Sequence, residues 1–214
     1  MKAVLLDALG TLVALEPPGP RLAAALGVPE ADSVRAFAAE MAYYRAHLDE
    51  GRDVDSLAEL RRRCAEVLFG ALPPEARPAD PVEVLMSSLH FSAFPDAGPA
   101  LEALRARGVK RVVVSNWDCS LPDVLDRIGL APLLDGVVAS AAIGARKPSA
   151  EIFERALEIA RTRDAIHIGD SVDEDVEGAR AAGIEPLLLR RDGSPGPLAV
   201  PTIASLAALT LLAR

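Results

Sequence analysis

Asp7 ends a short apolar run, Ala3-Val4-Leu5-Leu6, that begins after Lys2, and the small turn Ala8-Leu9-Gly10-Thr11 follows it. A buried strand that stops at one carboxylate presents an aspartate nucleophile at the carboxyl edge of a parallel sheet. A second acid two residues later would be well placed to protonate a leaving group, but this chain has Leu9 there. Three further groups follow in order: Ser115-Asn116, Arg146-Lys147-Pro148, and Gly169-Asp170-Ser171 with Asp175. Each is predicted to lie at a strand end or just before a helix. Carboxyl ends of parallel strands share one edge, so these groups can converge on one crevice.

Each group also has a purely structural reading. Asp7 can cap a turn, and Ser115-Asn116 fits turn chemistry. Lys147 can be a solvated charge at a helix entry. Asp173, Glu174, Asp175 and Glu177 form an acidic first turn that the helix dipole favours without any function.

The elements that must position these residues fall into two patterns. Residues 21–27, 30–50, 55–70 and about 82–90 carry helical periodicity, with Pro73, Pro74, Pro78 and Pro81 breaking it. Val34, Phe37, Met41, Tyr44 and Leu48 recur at three-to-four spacing, which predicts one apolar face. No convincing strand is read between 15 and 92. After that, strands alternate with helices. Strands are expected at 111–115, 136–140, 165–169 and 185–189; helices at 99–107, 122–128, 150–161, 173–182 and 203–212. This alternation predicts an α/β fold with a parallel sheet covered on both faces. The helical block reads as a cap, residues 15–92, inserted into a core of residues 1–14 and 93–214.

Half of the 214 residues are hydrophobic and 4% are aromatic, so a sizeable core is built from Leu, Val and Ala. A net charge of −8 argues against nucleic acid and anionic membranes as partners. It leaves phosphate ligands open, because a bound metal ion reverses the local sign. Only Lys2, Lys110 and Lys147 are lysines among 23 basic residues. Cys64 and Cys119 lie far apart, and no signal peptide is read, so reduced thiols and a cytoplasmic location are expected. No apolar run reaches the ~18 residues of a membrane span. The expected oligomeric state is a monomer or homodimer.

The segments LLDALGTL, VVVSN, RKP and IGDSVDEDVEGARAAG together resemble the haloacid dehalogenase superfamily of hydrolases, over residues 4–183. The resemblance implies a Rossmann-like parallel sheet of strand order 5-4-1-2-3 with a helical cap. It implies Asp7 as nucleophile, Ser115 and Lys147 as holders of a phosphoryl group, and Mg²⁺ held by Asp7, Asp170 and the Leu9 backbone carbonyl. Asp175 would ligate directly or order a metal-bound water. Thr11, Asn116 and the cap residues Tyr43 and His47 are candidate substrate contacts. Glu40, Tyr43 and His47 share one helix face, which also fits a solvated surface.

In the resembled phosphatases the residue two after the nucleophile is usually Asp, which protonates the leaving oxygen and activates water. Leucine does neither, and general acid–base help is typically worth ~10²–10⁴ in rate. The expected function is therefore a Mg²⁺-dependent phosphatase of low or unusual activity, acting on a small phosphorylated metabolite. Leu9 also fits metal-independent 2-haloacid dehalogenases, since halide leaves unprotonated. That branch tends to carry Tyr where this chain has Phe153, and a Ser-Ser-Asn run near Gly169-Asp170-Ser171. A non-catalytic binder of phosphate ligands is the third reading.

Overall fold

The computed structural model describes residues 1–209. The chain forms two compact units. One comprises residues 1–14 with the chain from Ser92 onward; the other comprises Leu15–Phe91.

In chain order, β1 (Ala3–Leu6) and β2 (Val13–Leu15) come first, followed by α1 (Pro18–Leu26), α2 (Glu30–His47), α3 (Val54–Gly70) and α4 (Pro81–Ser88). β3 (Phe91–Ala93) then leads to α5 (Ala97–Ala106), β4 (Lys110–Ser115), α6 (Leu121–Arg127), β5 (Gly136–Ala139), α7 (Ser140–Ile143) and α8 (Ala150–Ala160). β6 (Ala165–Gly169) is followed by a π-helical turn, Val172–Val176, that runs into α9 (Glu177–Ala181), β7 (Glu185–Leu189) and β8 (Thr202–Ile203).

The sheet order is β5-β4-β1-β6-β7-β8, and all of these strands pair in parallel. With β1, β4, β5, β6 and β7 counted as first to fifth, this is the expected 5-4-1-2-3 order. β8 is an addition. The predicted helix at 203–212 is corrected at its start: Thr202–Ile203 pairs with β7, and Leu206–Ala208 is a single 3₁₀ turn. Its residues 210–212 lie outside the described residues. β2 and β3 pair as a separate two-stranded sheet, which helical periodicity had not revealed.

Alternation along the strands builds the core. Ala3 and Leu5 of β1 join Val112 and Val114 of β4 in one buried cluster with Ile152, Phe153 and Ala156 of α8. Val4, Leu6 and Val113 are equally buried and, by strand alternation, point to the opposite side. Leu6 lies level with Val113 and Ile168, so β1, β4 and β6 reach their carboxyl ends together.

The helical unit has its own starts and contacts. Asp53 and Ser56 form a reciprocal capping box at α3, and Asp80 caps α4 ahead of Pro81. The buried face of α2 is Ser33, Ala36 and Glu40, a different set from the apolar stripe read in the sequence. Val34 is 50% exposed, and Phe37, Met41 and Tyr44 are only half-buried. Small residues explain the shift: the Ser33 hydroxyl donates to the Gly19 carbonyl at 2.8 Å, and a Cβ at Gly19 would lie 2.5 Å from Val34 Cγ2. Close backbone approach, rather than side-chain hydrophobicity, selects the face. Among the described residues no helix is long and apolar enough to cross a membrane.

Candidate active site

β1 is buried along its whole length, and Asp7 follows it with 5% of its surface exposed. The Asp7 N–H donates to the Ile168 carbonyl at 2.9 Å, which carries the β1–β6 ladder one residue further and fixes the carboxylate at the sheet edge. The chain then reverses, with the N–H groups of Thr11, Leu12 and Val13 all donating to the Ala8 carbonyl. Gly10 has φ +88°, and a Cβ there would lie 2.4 Å from Asp170 Oδ2. Only glycine permits both the left-handed backbone and this close approach.

Two donors meet on Asp7 Oδ1: Ser115 Oγ from the end of β4 at 3.0 Å, and Lys147 Nζ at 2.6 Å. Lys147 precedes α8 and is 2% exposed. Asn116 sets its backbone reciprocally. The Lys147 N–H donates to Asn116 Oδ1 at 2.7 Å, and Asn116 Nδ2 donates to the Lys147 carbonyl at 3.1 Å. The sequence reading puts Asn116 at the substrate; in the structure its carboxamide holds the lysine.

Asp175 completes the cluster. Its Oδ1 accepts from Lys147 Nζ at 2.5 Å and His167 Nε2 at 2.8 Å, and its Oδ2 accepts from the Ser171 N–H at 3.0 Å. The π-helical turn brings it there: its carboxylate folds back over Gly169, where a Cβ would meet Asp175 Cγ at 2.1 Å. Asp173 and Glu177, on the same acidic run, point into solvent.

The electrostatics follow from the burial of three charged groups together. Burial pushes the Asp7 carboxyl up to about 6; Lys147 opposes this, while Asp175 and Asp170 add to it. Burial works against charge on Lys147 too, but Asp7 and Asp175 outweigh it and hold the ammonium above its ordinary range. Burial likewise opposes charge on Asp175, yet Lys147 and His167 keep it well below the usual carboxylate range. Asp170 is half-buried, and burial followed by the Asp175 charge raises it.

Carboxylate oxygens of Asp7, Asp170 and Asp175 lie within 4.8 Å of one another. Hard oxygen donors at this spacing suit Mg²⁺. Asp7 and Asp170, both raised chiefly by burial and further by the Asp175 charge, would be relieved by a cation and fit direct ligation. Both Asp175 oxygens already accept protein hydrogen bonds, which suits an orienting role. Leu9 is half-buried on the turn between Asp7 and Gly10 and carries no proton to give.

Thr11 is wholly buried, and its hydroxyl has no hydrogen-bond partner among the described residues. Tyr43 and His47 belong to α2 in the helical unit, with ring centroids 4.2 Å apart, and His47 Nδ1 lies 2.8 Å from Glu50 Oε1. Glu40, on the same predicted face, is buried rather than solvated. His167, bonded to Asp175, is a residue of the cluster that the sequence analysis did not single out. Its signal was a polar ring inside an otherwise apolar strand, two residues before Gly169; its ring also packs edge-on against Phe153.

A family model for haloacid dehalogenase-like hydrolases matches residues 1–183. The chain is 42% identical over 104 residues to the haloacid dehalogenase-like hydrolase domain-containing protein 3 of Bos taurus, covering 48% of this chain and 40% of that one. It therefore spans about half the length of the first curated relatives that it matches. It is 30% identical over 173 residues to the glyceraldehyde 3-phosphate phosphatase of Methanopyrus kandleri, covering 69% of this chain and 73% of that one. The crystal structure of a HAD phosphatase from Thermococcus onnurineus superposes with a TM-score of 0.69 at 25% identity, covering 99% of this chain and 97% of that one. With the parallel sheet and the cluster at its carboxyl edge, these matches establish that the chain belongs to the haloacid dehalogenase-like hydrolases.

Proposed function

We propose that this hydrolase is a Mg²⁺-dependent phosphatase for a small phosphorylated metabolite, working through an aspartyl-phosphate on Asp7 and limited in rate by Leu9. The carrying observation is the convergence of Ser115 Oγ and Lys147 Nζ on Asp7 Oδ1, beside a second acid, Asp170, near enough to share a cation. The phosphatase names of relatives such as that of Methanopyrus kandleri support the same reading.

In this mechanism an Asp7 oxygen attacks phosphorus, and the bond from phosphorus to the leaving oxygen breaks. Ser115 and Lys147 hold the phosphoryl oxygens as charge develops on them. Asp7 and Asp170, with the Leu9 carbonyl, are the proposed Mg²⁺ ligands, and the ion supplies charge neutralisation that lets a carboxylate approach a phosphate. Asp175 and His167 keep Lys147 in place. The leaving oxygen takes its proton from solvent, because residue 9 has none. Water then cleaves the acyl phosphate, releasing inorganic phosphate and restoring the Asp7 carboxylate.

The test is p-nitrophenyl phosphate turnover with and without Mg²⁺, with Asp7→Asn as control. Its leaving group needs little protonation, so Leu9 penalises it least. Turnover that needs both Mg²⁺ and Asp7 supports the proposal. Halide release from short 2-haloacids without metal, and no phosphate release, would replace it with the dehalogenase reading that Leu9 also suits. Stabilisation by phosphate-containing ligands with no turnover would point to a non-catalytic binder.

A further inference from the structure

The dipeptide Arg190-Arg191, immediately beyond β7, reaches both acidic loops of the site through their backbones. Arg190 Nη1 donates to the Asp170 carbonyl at 2.6 Å. Arg191 Nε donates to the Gly10 carbonyl at 3.1 Å, and its Nη2 donates to the Thr11 carbonyl at 2.5 Å. These carbonyls belong to the turn that follows Asp7. Arg191 is itself held from two sides. Its Nη1 and Nη2 pair with both Asp96 oxygens at 3.1 and 3.0 Å, and its guanidinium lies 3.6 Å from the Phe94 ring centroid. Asp96 in turn accepts from Ser205 Oγ and the Leu206 N–H at 2.7 and 2.9 Å.

A planar guanidinium with five fixed donors can bridge a carboxylate and two carbonyls at once, which a lysine ammonium cannot match. Neither arginine contacts the Asp7 or Asp170 carboxylate through these bonds. We infer that Arg190-Arg191 is a positioning staple: it fixes the nucleophile turn against the Asp170 loop and thereby sets the spacing of the Asp7 and Asp170 oxygens. The Gly10 contact gives that spacing its sensitivity, since the turn already touches the Asp170 carboxylate where a Cβ would lie 2.4 Å from Oδ2. Outer residues that orient metal-binding acids typically change affinity or activity about 10–100-fold when lost.

This inference deepens the phosphatase reading and rests on it for its catalytic readout. The experiment compares wild type with Arg191→Lys, Arg191→Met and Arg190→Met in the full chain. It measures Mg²⁺ binding by calorimetry, kcat and KM for p-nitrophenyl phosphate, and melting temperature. For Arg191→Lys the expected result is a preserved fold, KM within about twofold, and kcat and Mg²⁺ affinity each reduced about tenfold or more. Arg190→Met, which loses one bond, should show a smaller loss of the same kind. A drop in melting temperature alone, with kcat and Mg²⁺ affinity of the folded protein unchanged, overturns the staple. If Arg191→Met fails to fold, Asp96→Asn tests the same support from its far side.

Amide exchange separates failure of the inference from failure of the phosphatase reading. The Thr11, Leu12 and Val13 amides, all bonded to Ala8, report on the turn whether or not the wild type binds Mg²⁺. Faster exchange at these amides in Arg191→Met, with β1, β4 and β6 still protected, supports the staple; unchanged exchange overturns it.

Discussion

The two units handle buried charge in opposite ways. In the sheet unit, Asp7, Lys147 and Asp175 are each at most 5% exposed, and they meet one another directly. In the helical unit, Glu40 is 4% exposed, its carboxyl accepts from the weak thiol donor of Cys64, and Oε2 has no partner among the described residues. Burial accordingly pushes Glu40 up to about 7, the Cys64 bond opposing it slightly. A buried acid with a cation nearby stays charged and available for chemistry; one without a cation takes up a proton and becomes a packing group.

The sharpest break of this contrast is Lys147→Met. It leaves Asp7 and Asp175 buried without their cation, so stability should fall by about 3–5 kcal/mol in urea unfolding, and turnover should vanish. Adding Asp7→Asn to that variant should restore part of the stability, which a double-mutant cycle will measure. If Lys147→Met alone unfolds at the wild-type midpoint, the buried triad does not carry the charge balance described for it.

Leu9→Asp sharpens the sheet unit in the other direction. It supplies the absent proton donor, and phosphate release from alkyl phosphates should rise by about 10² or more, with a smaller gain for aryl phosphates. Equal gains for both would mean that leaving-group protonation is not the limiting deficit.

Glu40→Gln tests the helical unit through pH. Glu40 has a folded value raised from 4.5 to about 7, so the folded state binds its proton more tightly than the unfolded chain. Its stabilising contribution is complete below about 4.5 and is lost as pH rises through about 7. Between pH 5 and 8 the wild type should therefore lose on the order of 2–3 kcal/mol relative to Glu40→Gln. Parallel pH profiles for the two proteins would contradict the buried, poorly partnered carboxyl.

The smallest effect belongs to the solvated pairs on the same helices. Arg62→Gln removes the Arg62–Glu59 pair, whose side chains are 56% and 52% exposed, and should leave the melting temperature unchanged.

The legibility of the molecule divides along a related line. The parallel α/β sheet, and the placing of Asp7, Ser115 and Asp170 at strand ends, followed from short apolar runs and their alternation with helices, while the strand order was implied by the family resemblance. The helical unit was legible as helices but not as faces, because Gly19 and Ser33 set the α1–α2 contact by their smallness. β2, β3 and β8 are two or three residues long, too short for a period of two to stand out.

The sequence by itself determined which residue types stand at the carboxyl edge, since a strand's end and its last side chain are set by neighbours in the chain. It also determined that residue 9 has no proton to give. Tertiary structure decided what each of those groups touches. Asn116 turned to the Lys147 backbone, both Asp175 oxygens were taken by Lys147, His167 and Ser171, and Arg191 reached back to Gly10 and Thr11. Lys147 meets Asp7 across 140 residues and Arg191 meets Gly10 across 181, so these bonds depend on how the sheet brings distant loops together. A local pattern can supply a donor or an acceptor, but only the folded sheet can assign it a partner.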